Sequence, residues 1–231
     1  MPAYNEADNI EPMVAEATPA LEANADDYEI IVVDDGSADG TAEVTQRVIE
    51  THPHVRLVQH PVNKGFGAAV FSGFTSAEKD WIFYTDADRQ FVLSELERFV
   101  PYLDGADLIA GYRAPRRDPF LRVFYGKGWS ALCTLTFGYT VRDVDCGFKL
   151  FRREIIQELA PQIASRGATF SIEWLVRAKR AGYTFVELPV THRPRVAGSQ
   201  TGANIDVIVR AFRELVQFRL QLWREGKPGS R

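Results

Sequence analysis

Cysteine is nearly missing from this chain: Cys133 and Cys146 are the only two in 231 residues, and their spacing suits no metal site. A disulfide framework has nothing to build on, and a reducing compartment is the expectation. Long apolar runs are missing as well. The longest uncharged stretch, Gly128–Val141, is shorter than the roughly 20 residues that cross a bilayer and reads as a buried or interfacial helix. No secretory signal pattern is present, and neither is a repeat, a low-complexity tract or a linker. Positive charge is not in excess either. The net charge is −4, so no bulk attraction to nucleic acid is expected.

What is present is ordinary for a globular protein, 45% hydrophobic and 25% charged residues, in a length that suits one α/β domain with at most an appended element. Short apolar runs rich in β-branched and aromatic residues fall at Tyr28–Val33, Val55–His60, Trp81–Thr85 and Asp107–Gly111. Helical patterns lie at Ala7–Leu21, Thr41–Glu50, Gly67–Ala77 and Leu93–Leu103. Such alternation predicts a mostly parallel sheet with helices on both faces. The first strand is the exception. The chain opens "MPAYNEADNI", which reads as the loop after a strand whose own residues are missing, so either the start lies upstream or another segment fills the gap.

In parallel sheets ligands bind beyond the carboxyl ends of the strands. Here those ends read "VVDDGS" and "YTDAD", and both should open on one edge. Asp86 and Asp88 stand around a single alanine, where two carboxylates repel each other unless a cation or proton compensates. They suit Mg²⁺ or Mn²⁺, hard cations that take oxygen ligands and bridge to phosphates, with Gln90 available as a neutral ligand. A solvated acidic turn is the competing explanation.

Five segments in order, "PAYNEADNI", "EIIVVDDGSADGT", "NKGFGAAVFSGF", "DADRQF" and "DVDCGFKLFRRE", resemble the family 2 glycosyltransferases, in particular the branch with dolichyl-phosphate mannose synthase and bacterial polyprenyl-phosphate glycosyltransferases. The resemblance runs from Pro2 to about Asn204. It implies a glycosyltransferase A-type, Rossmann-like α/β fold for residues 1–204, followed by a C-terminal amphipathic helix and tail at 205–231.

The resemblance also implies roles. Pro2, Tyr4 and Glu6 fall where relatives hold the nucleotide, and Val33 and Asp35 match the strand end beside base and ribose. Asp86, Ala87 and Asp88 match the motif that holds metal and diphosphate, with Gln90 as a further ligand. Arg113, Arg122 and Arg195 match positions of cations near the phosphates, where a guanidinium engages oxygens in pairs. Asp88, Arg122 and Asp143 are the implied catalytic positions. Asn63, Lys64 and Gly65 resemble a loop near the base, with a plain helix-entry turn as the alternative. Relatives often carry serine and lysine where this chain has Gln200 and Thr201; Gly198 and Gly202 still allow that loop to close over a ligand. Asn5 could instead cap a helix. His192 is either near the metal or a strand-end residue, and His52, His54 and His60 read as surface or strand-end residues.

The implied reaction is an inverting displacement in which an acceptor attacks the anomeric carbon and nucleoside diphosphate leaves. A lipid-phosphate acceptor is largely ionised near neutrality, its second pKa being about 6, and needs little help from a base. A sugar hydroxyl would need a base, with Asp143, Asp145 or Glu173 as candidates. Ile205, Ile208, Phe212, Leu215, Leu222 and Trp223 form an apolar side of the last helix, with Arg210, Arg213 and Arg224 elsewhere around it. That helix either packs on its own domain or lies in a membrane interface. The expected setting is the cytoplasm, including peripheral contact with the cytoplasmic membrane face. The expected partners are a nucleoside-diphosphate sugar and a polyprenyl-phosphate acceptor, with no nucleic acid. A saccharide or small-molecule acceptor and a non-catalytic nucleotide-sugar-binding protein remain the alternatives. A nucleotidyltransferase would carry a glycine-rich triphosphate loop near the N-terminus, which "PAYNE" is not.

Overall fold

A computed structural model describes residues 1–114, 120–167, 169–194 and 205–226, with the side chains at 120–124 and 205–209 outside that description. Among the described residues seven strands form two sheets. In the first, β1 (Pro2–Ala3), β2 (Ile30–Asp34) and β3 (Val55–Gln59) pair in parallel in that order. The second has the order β4-β6-β5-β7, from β4 (Trp81–Thr85), β5 (Leu108–Arg113), β6 (Phe148–Arg152) and β7 (Phe185–Val190). Only β6 runs against its neighbours, so β4, β5 and β7 end, and β6 begins, on the same edge. That edge gathers Asp86, Arg113 and the residues before Phe148.

The helices α1 (Ala7–Glu22), α2 (Thr41–Thr51) and α3 (Phe66–Ser76) follow expected segments closely, and α7 (Ile205–Glu225) is the expected C-terminal helix; α4 (Phe120–Phe137) begins well before the uncharged stretch Gly128–Val141, and α5 (Arg153–Leu159) and α6 (Phe170–Ala181) lie where no helix was expected. The stretch expected as a helix at Leu93–Leu103 is instead two 3₁₀ turns, Leu93–Arg98 and Val100–Tyr102. Leu93, Leu96 and Phe99 are its buried residues, a spacing of three that matches the 3₁₀ period. Pro101, which has no N–H to give, sits in the second turn. On one face of the second sheet, Phe74 of α3 meets Tyr84, Phe151 and Trp174 edge-on or tilted at 4.9–5.6 Å between ring centroids. Leu215, Phe218 and Leu222 of α7 join the same cluster. Among the described residues no helix is long and apolar enough to cross a membrane.

The short first strand has a structural consequence. β1 reaches only Val33 and Asp34 of β2, and β4 is an edge strand with β6 on one side only. A cavity of about 630 Å³ lies where the two sheets would otherwise join, walled by residues of β2, β4, α1 and α3.

Candidate functional site

At the end of β2 the two aspartates do different work. Asp34 is fully buried; it accepts from Ser37 N at 3.1 Å and from Gln59 Nε2 at 3.3 Å, closing the turn. Gly36 makes that turn possible: its φ is +69°, and a Cβ there would lie 2.5 Å from the Val62 carbonyl carbon, so no other residue fits without moving the chain. Asp35 reaches across to the loop before α3. It accepts from Lys64 N at 2.9 Å and Gly65 N at 2.8 Å, and pairs with His60 Nδ1 at 2.6 Å. His60 Nε2 in turn meets Ser72 Oγ at 2.9 Å. His60 was expected at the surface or a strand end; it directly follows β3, but it is buried and fixes Asp35. The Asn63–Gly65 loop is thus built on the carboxylate expected to contact the nucleotide.

The N-terminal loop is stitched to the same turn. Glu6 N donates to Thr41 Oγ1 and Ala7 N to Asp39 Oδ2, both at 3.0 Å. Asn5 therefore does not cap α1. It takes a φ of 55° and accepts from Ala38 N, a left-handed conformation that asparagine tolerates better than most residues. Pro2 lies in β1, Tyr4 is exposed, and Glu6 is buried with its carboxylate on Asn9 Nδ2 at 2.6 Å. Val33 and Ala87 are buried and present no side-chain surface here.

After β4 the acidic turn is held from several sides. Tyr84 Oη donates to Asp86 Oδ1 at 2.9 Å. The carboxylate of Asp86 rests on Gly147, where a Cβ would stand 2.1 Å from Oδ2; the glycine of "DCGF" is what allows Asp86 its place. Asp88 Oδ1 accepts from Gln90 N at 3.2 Å. Arg89 has a φ of 59° and pairs with Glu16 of α1 at 2.6 Å. Gln90 Nε2 donates to Arg193 O at 3.0 Å and Arg193 N to Gln90 O at 2.7 Å, while Phe91 bridges to His192. His192 is a buried strand-end residue whose ring meets Phe91 at 5.5 Å between centroids.

Across the edge, Arg113 grips Asp143 with both arms, Nη2 to Oδ1 at 2.7 Å and Nε to Oδ2 at 2.8 Å. Lys149, inside β6 and buried, donates to Val144 O at 3.1 Å and to Cys146 O, fixing the turn that carries Asp143 and the exposed Asp145. Burial pushes Asp86 upward from its ordinary range, opposed by the Tyr84 hydrogen bond and then by the charges of Lys149 and Arg113. Burial pushes Lys149 downward, opposed by the acids around it. Burial raises the Cys146 thiol to about 12, which removes it as a nucleophile.

The donor set at Asp86, Asp88 and Gln90 fits a hard divalent cation, for all three side chains offer oxygen. Among the described residues no three His, Cys, Asp or Glu side chains converge as a closed metal site. A cation such as Mg²⁺ takes one or two protein carboxylates and completes its shell with substrate phosphates. The side chain of Arg122 and the whole of Arg195–Gly202 lie outside the described residues. Glu173, a candidate base, is buried away in the core. It accepts from Ala164 N, Ser165 N and Arg177 Nε at 3.1, 2.7 and 3.0 Å. Three contributors went unnamed in the sequence reading, Tyr84, Glu16 and Lys149, and His60 was named without a role in the site. Only Lys149 had a local signal, a lysine inside the apolar run "GFKLF".

Comparison with known proteins gives these relations. The family described as Glycosyl transferase family 2 matches residues 1–160. Dolichyl-phosphate beta-glucosyltransferase ALG5C of Trichomonas vaginalis is 34% identical, over 96% of this chain and 72% of its own. Polyprenol monophosphomannose synthase of Mycolicibacterium smegmatis is 30% identical, over 89% and 81%. A crystal structure of glucosyl-3-phosphoglycerate synthase from Mycobacterium tuberculosis with Mn²⁺, UDP-glucose and phosphoglyceric acid superposes with a TM-score of 0.68 at 20% identity, covering 99% of this chain and 79% of that one. At that identity the superposition speaks for the fold, a glycosyltransferase A-type α/β architecture.

Proposed function

Since the chain belongs to glycosyltransferase family 2, we propose that it moves a sugar, with inversion, from a nucleoside-diphosphate sugar to polyprenyl phosphate. The observation that carries the acceptor class is the state of the acids on the acceptor side. Asp143 is locked in a two-armed pair with Arg113, and Glu173 is consumed by Arg177 and two backbone amides. A carboxylate held by a guanidinium is a poor proton acceptor. A site with its candidate bases so engaged suits a nucleophile that arrives already ionised, as a phosphate monoester does near neutrality. The two relatives, whose names carry dolichyl phosphate and polyprenol monophosphomannose, support the same class.

In this reading Pro2, Tyr4, Glu6 and the loop built on Asp35 seat the nucleotide. Val33 and Ala87 contribute through their backbone. Asp86, Asp88 and Gln90 hold Mg²⁺ or Mn²⁺, a use supported by the Mn²⁺ in the M. tuberculosis complex. When bound, that cation offsets the charge of the diphosphate as it departs. Arg113, with Arg122 and Arg195, adds fixed positive charge at the leaving group, and Asp143 keeps Arg113 aimed. A second reading, transfer to a hydroxyl, has one observation in its favour, the exposed Asp145.

The test is calorimetric titration with UDP-, GDP- and dTDP-sugars, with and without Mn²⁺, beside Asp88→Ala, followed by turnover with polyprenyl phosphate. Binding of one nucleotide class that needs the metal, is lost in Asp88→Ala, and yields labelled product extractable into organic solvent is the expected result. Product that stays in the aqueous phase would move the assignment to a hydroxyl acceptor. Binding without turnover on any acceptor would leave a nucleotide-sugar-binding protein.

A further inference from the structure

Glu214 of α7 turns its carboxylate to the start of α6. Its Oε2 accepts from Thr169 Oγ1 at 2.8 Å and from Thr169 N at 3.3 Å. Thr169 is fully buried and stands at the N-cap of α6, yet its own hydroxyl caps nothing in that helix. A carboxylate from another helix takes that place, where the positive end of the helix favours it. Gly167 lies flush against the same carboxylate, with no room for a Cβ. On α3, a Cβ at Gly67 would stand 2.5 Å from Gly167 O and 2.7 Å from Arg166 O. Two glycines thus let α7, the backbone at Arg166–Gly167 and the first turn of α3 meet in direct contact. One turn along α3, the Arg166 guanidinium lies 3.6 Å from the centre of the Phe71 ring. That first turn opens at Gly65, which takes a φ of +93° and gives its N–H to Asp35. The loop on Asp35 is therefore held twice, by β2 and by the backbone that Glu214 anchors.

We propose that Glu214 is a positioning residue for the nucleotide seat. By anchoring Gly167 and Thr169 it keeps Gly67 and Gly65 where the Lys64 and Gly65 N–H groups meet the Asp35 carboxylate. That the loop seats a nucleotide rests on the proposed function; the link from α7 to the loop rests on the contacts alone. Glu214 touches none of the residues assigned to metal or diphosphate, so its effect falls on donor binding and not on bond breaking.

The experiment follows amide exchange at Lys64 and Gly65, referenced to Val32 and Val33 of β2, in the parent, Glu214→Ala, Glu214→Gln and Leu222→Ala. Leu222→Ala opens a cavity two turns along α7 and lowers stability as a whole, so it should move both sets of amides together. Glu214→Ala should speed Lys64 and Gly65 by more than ~10-fold relative to β2. Glu214→Gln keeps an oxygen for Thr169 and should change that ratio by less than ~3-fold. With Mn²⁺ present, Glu214→Ala should bind the nucleotide sugar at least ~5-fold more weakly, while turnover at saturating donor stays within ~2-fold of the parent. Exchange at Lys64 and Gly65 that merely tracks β2 overturns the proposal, and so does an unchanged donor affinity. A parent that binds no nucleotide sugar overturns the proposed function instead, and the exchange ratio then decides the link from α7 by itself. Should Glu214→Ala not fold, Glu214→Asp, one methylene short of Thr169, takes its place with the same outcomes.

Discussion

Asp86 carries its charge where the surroundings resist it. Burial raises its pKa, and the Tyr84 hydroxyl, Lys149 and Arg113 only partly oppose that. A carboxyl whose folded pKa is raised contributes stability that is present below its unfolded value, 3.8, and lost as pH rises through the folded value. Ionising Asp86 is therefore a cost to folding, one that the proposed cation-binding role accounts for. Asp86→Asn should melt ~2–4 °C higher than the parent at pH 7, with the gain shrinking as pH falls toward 4. It should also bind Mn²⁺-dependent nucleotide at least ~10-fold more weakly. A scan of both proteins from pH 4 to 8, with calorimetry at pH 7, checks both halves. Asp86 and Asp88 could be read from sequence because the motif is contiguous. The Asp35–His60 pair could not, since its members are 25 residues apart and nothing local marks the histidine.

At the scale of elements, α7 shows where a periodic pattern runs out. Phe212, Leu215, Leu222 and Trp223 read as one apolar side, yet folding divides the arc. Ala211, Leu215, Phe218 and Leu222 pack inward, while Phe212, Val216, Leu220 and Trp223 remain exposed beside Arg213, Arg219 and Arg224. A period of 3.6 places residues around a helix but does not say how wide a strip its neighbours cover. The same limit explains Leu93–Leu103, an expected helix whose buried residues, spaced by three, wind as 3₁₀ turns. Among the strands, Trp81–Thr85 matches at both ends, because short β-branched and aromatic runs between turns have few competing interpretations, whereas β1, β6 and β7 were not read as strands. The exposed strip with its arginines suits an anionic lipid surface. Leu220→Ser with Trp223→Ser should cut flotation with phosphatidylglycerol vesicles by more than ~5-fold while leaving the melting temperature within about 2 °C, as surface substitutions do. Unchanged flotation would remove the membrane from the assignment.

Taken whole, the molecule is fastened at its far end and open along its middle. The fastening is Arg177, buried between Glu173 of its own helix at 3.0 Å and Glu225 at the end of α7, also at 3.0 Å. Removing one partner of a buried pair strands the other charge, at about 3–5 kcal/mol. Arg177→Met should therefore lower the melting temperature by roughly 10 °C, and adding Glu173→Gln should recover part of that loss. A melting curve that ignores Arg177→Met would mean α7 is held by its apolar contacts alone. The opening is the gap between β2 and β4. The loop built on Asp35 stands at the end of one sheet, and Asp86 and Asp88 stand at the end of the other. The candidate site therefore lies on a fault line: on the proposed function, a slip of one plate past the other would alter the span between base and diphosphate more than an adjustment within either plate. On that reading the reach of a donor that fits follows how the halves are seated, and the seam between them, walled by Pro2, Val33, Tyr84 and Thr85 among others, is where that reach is tuned.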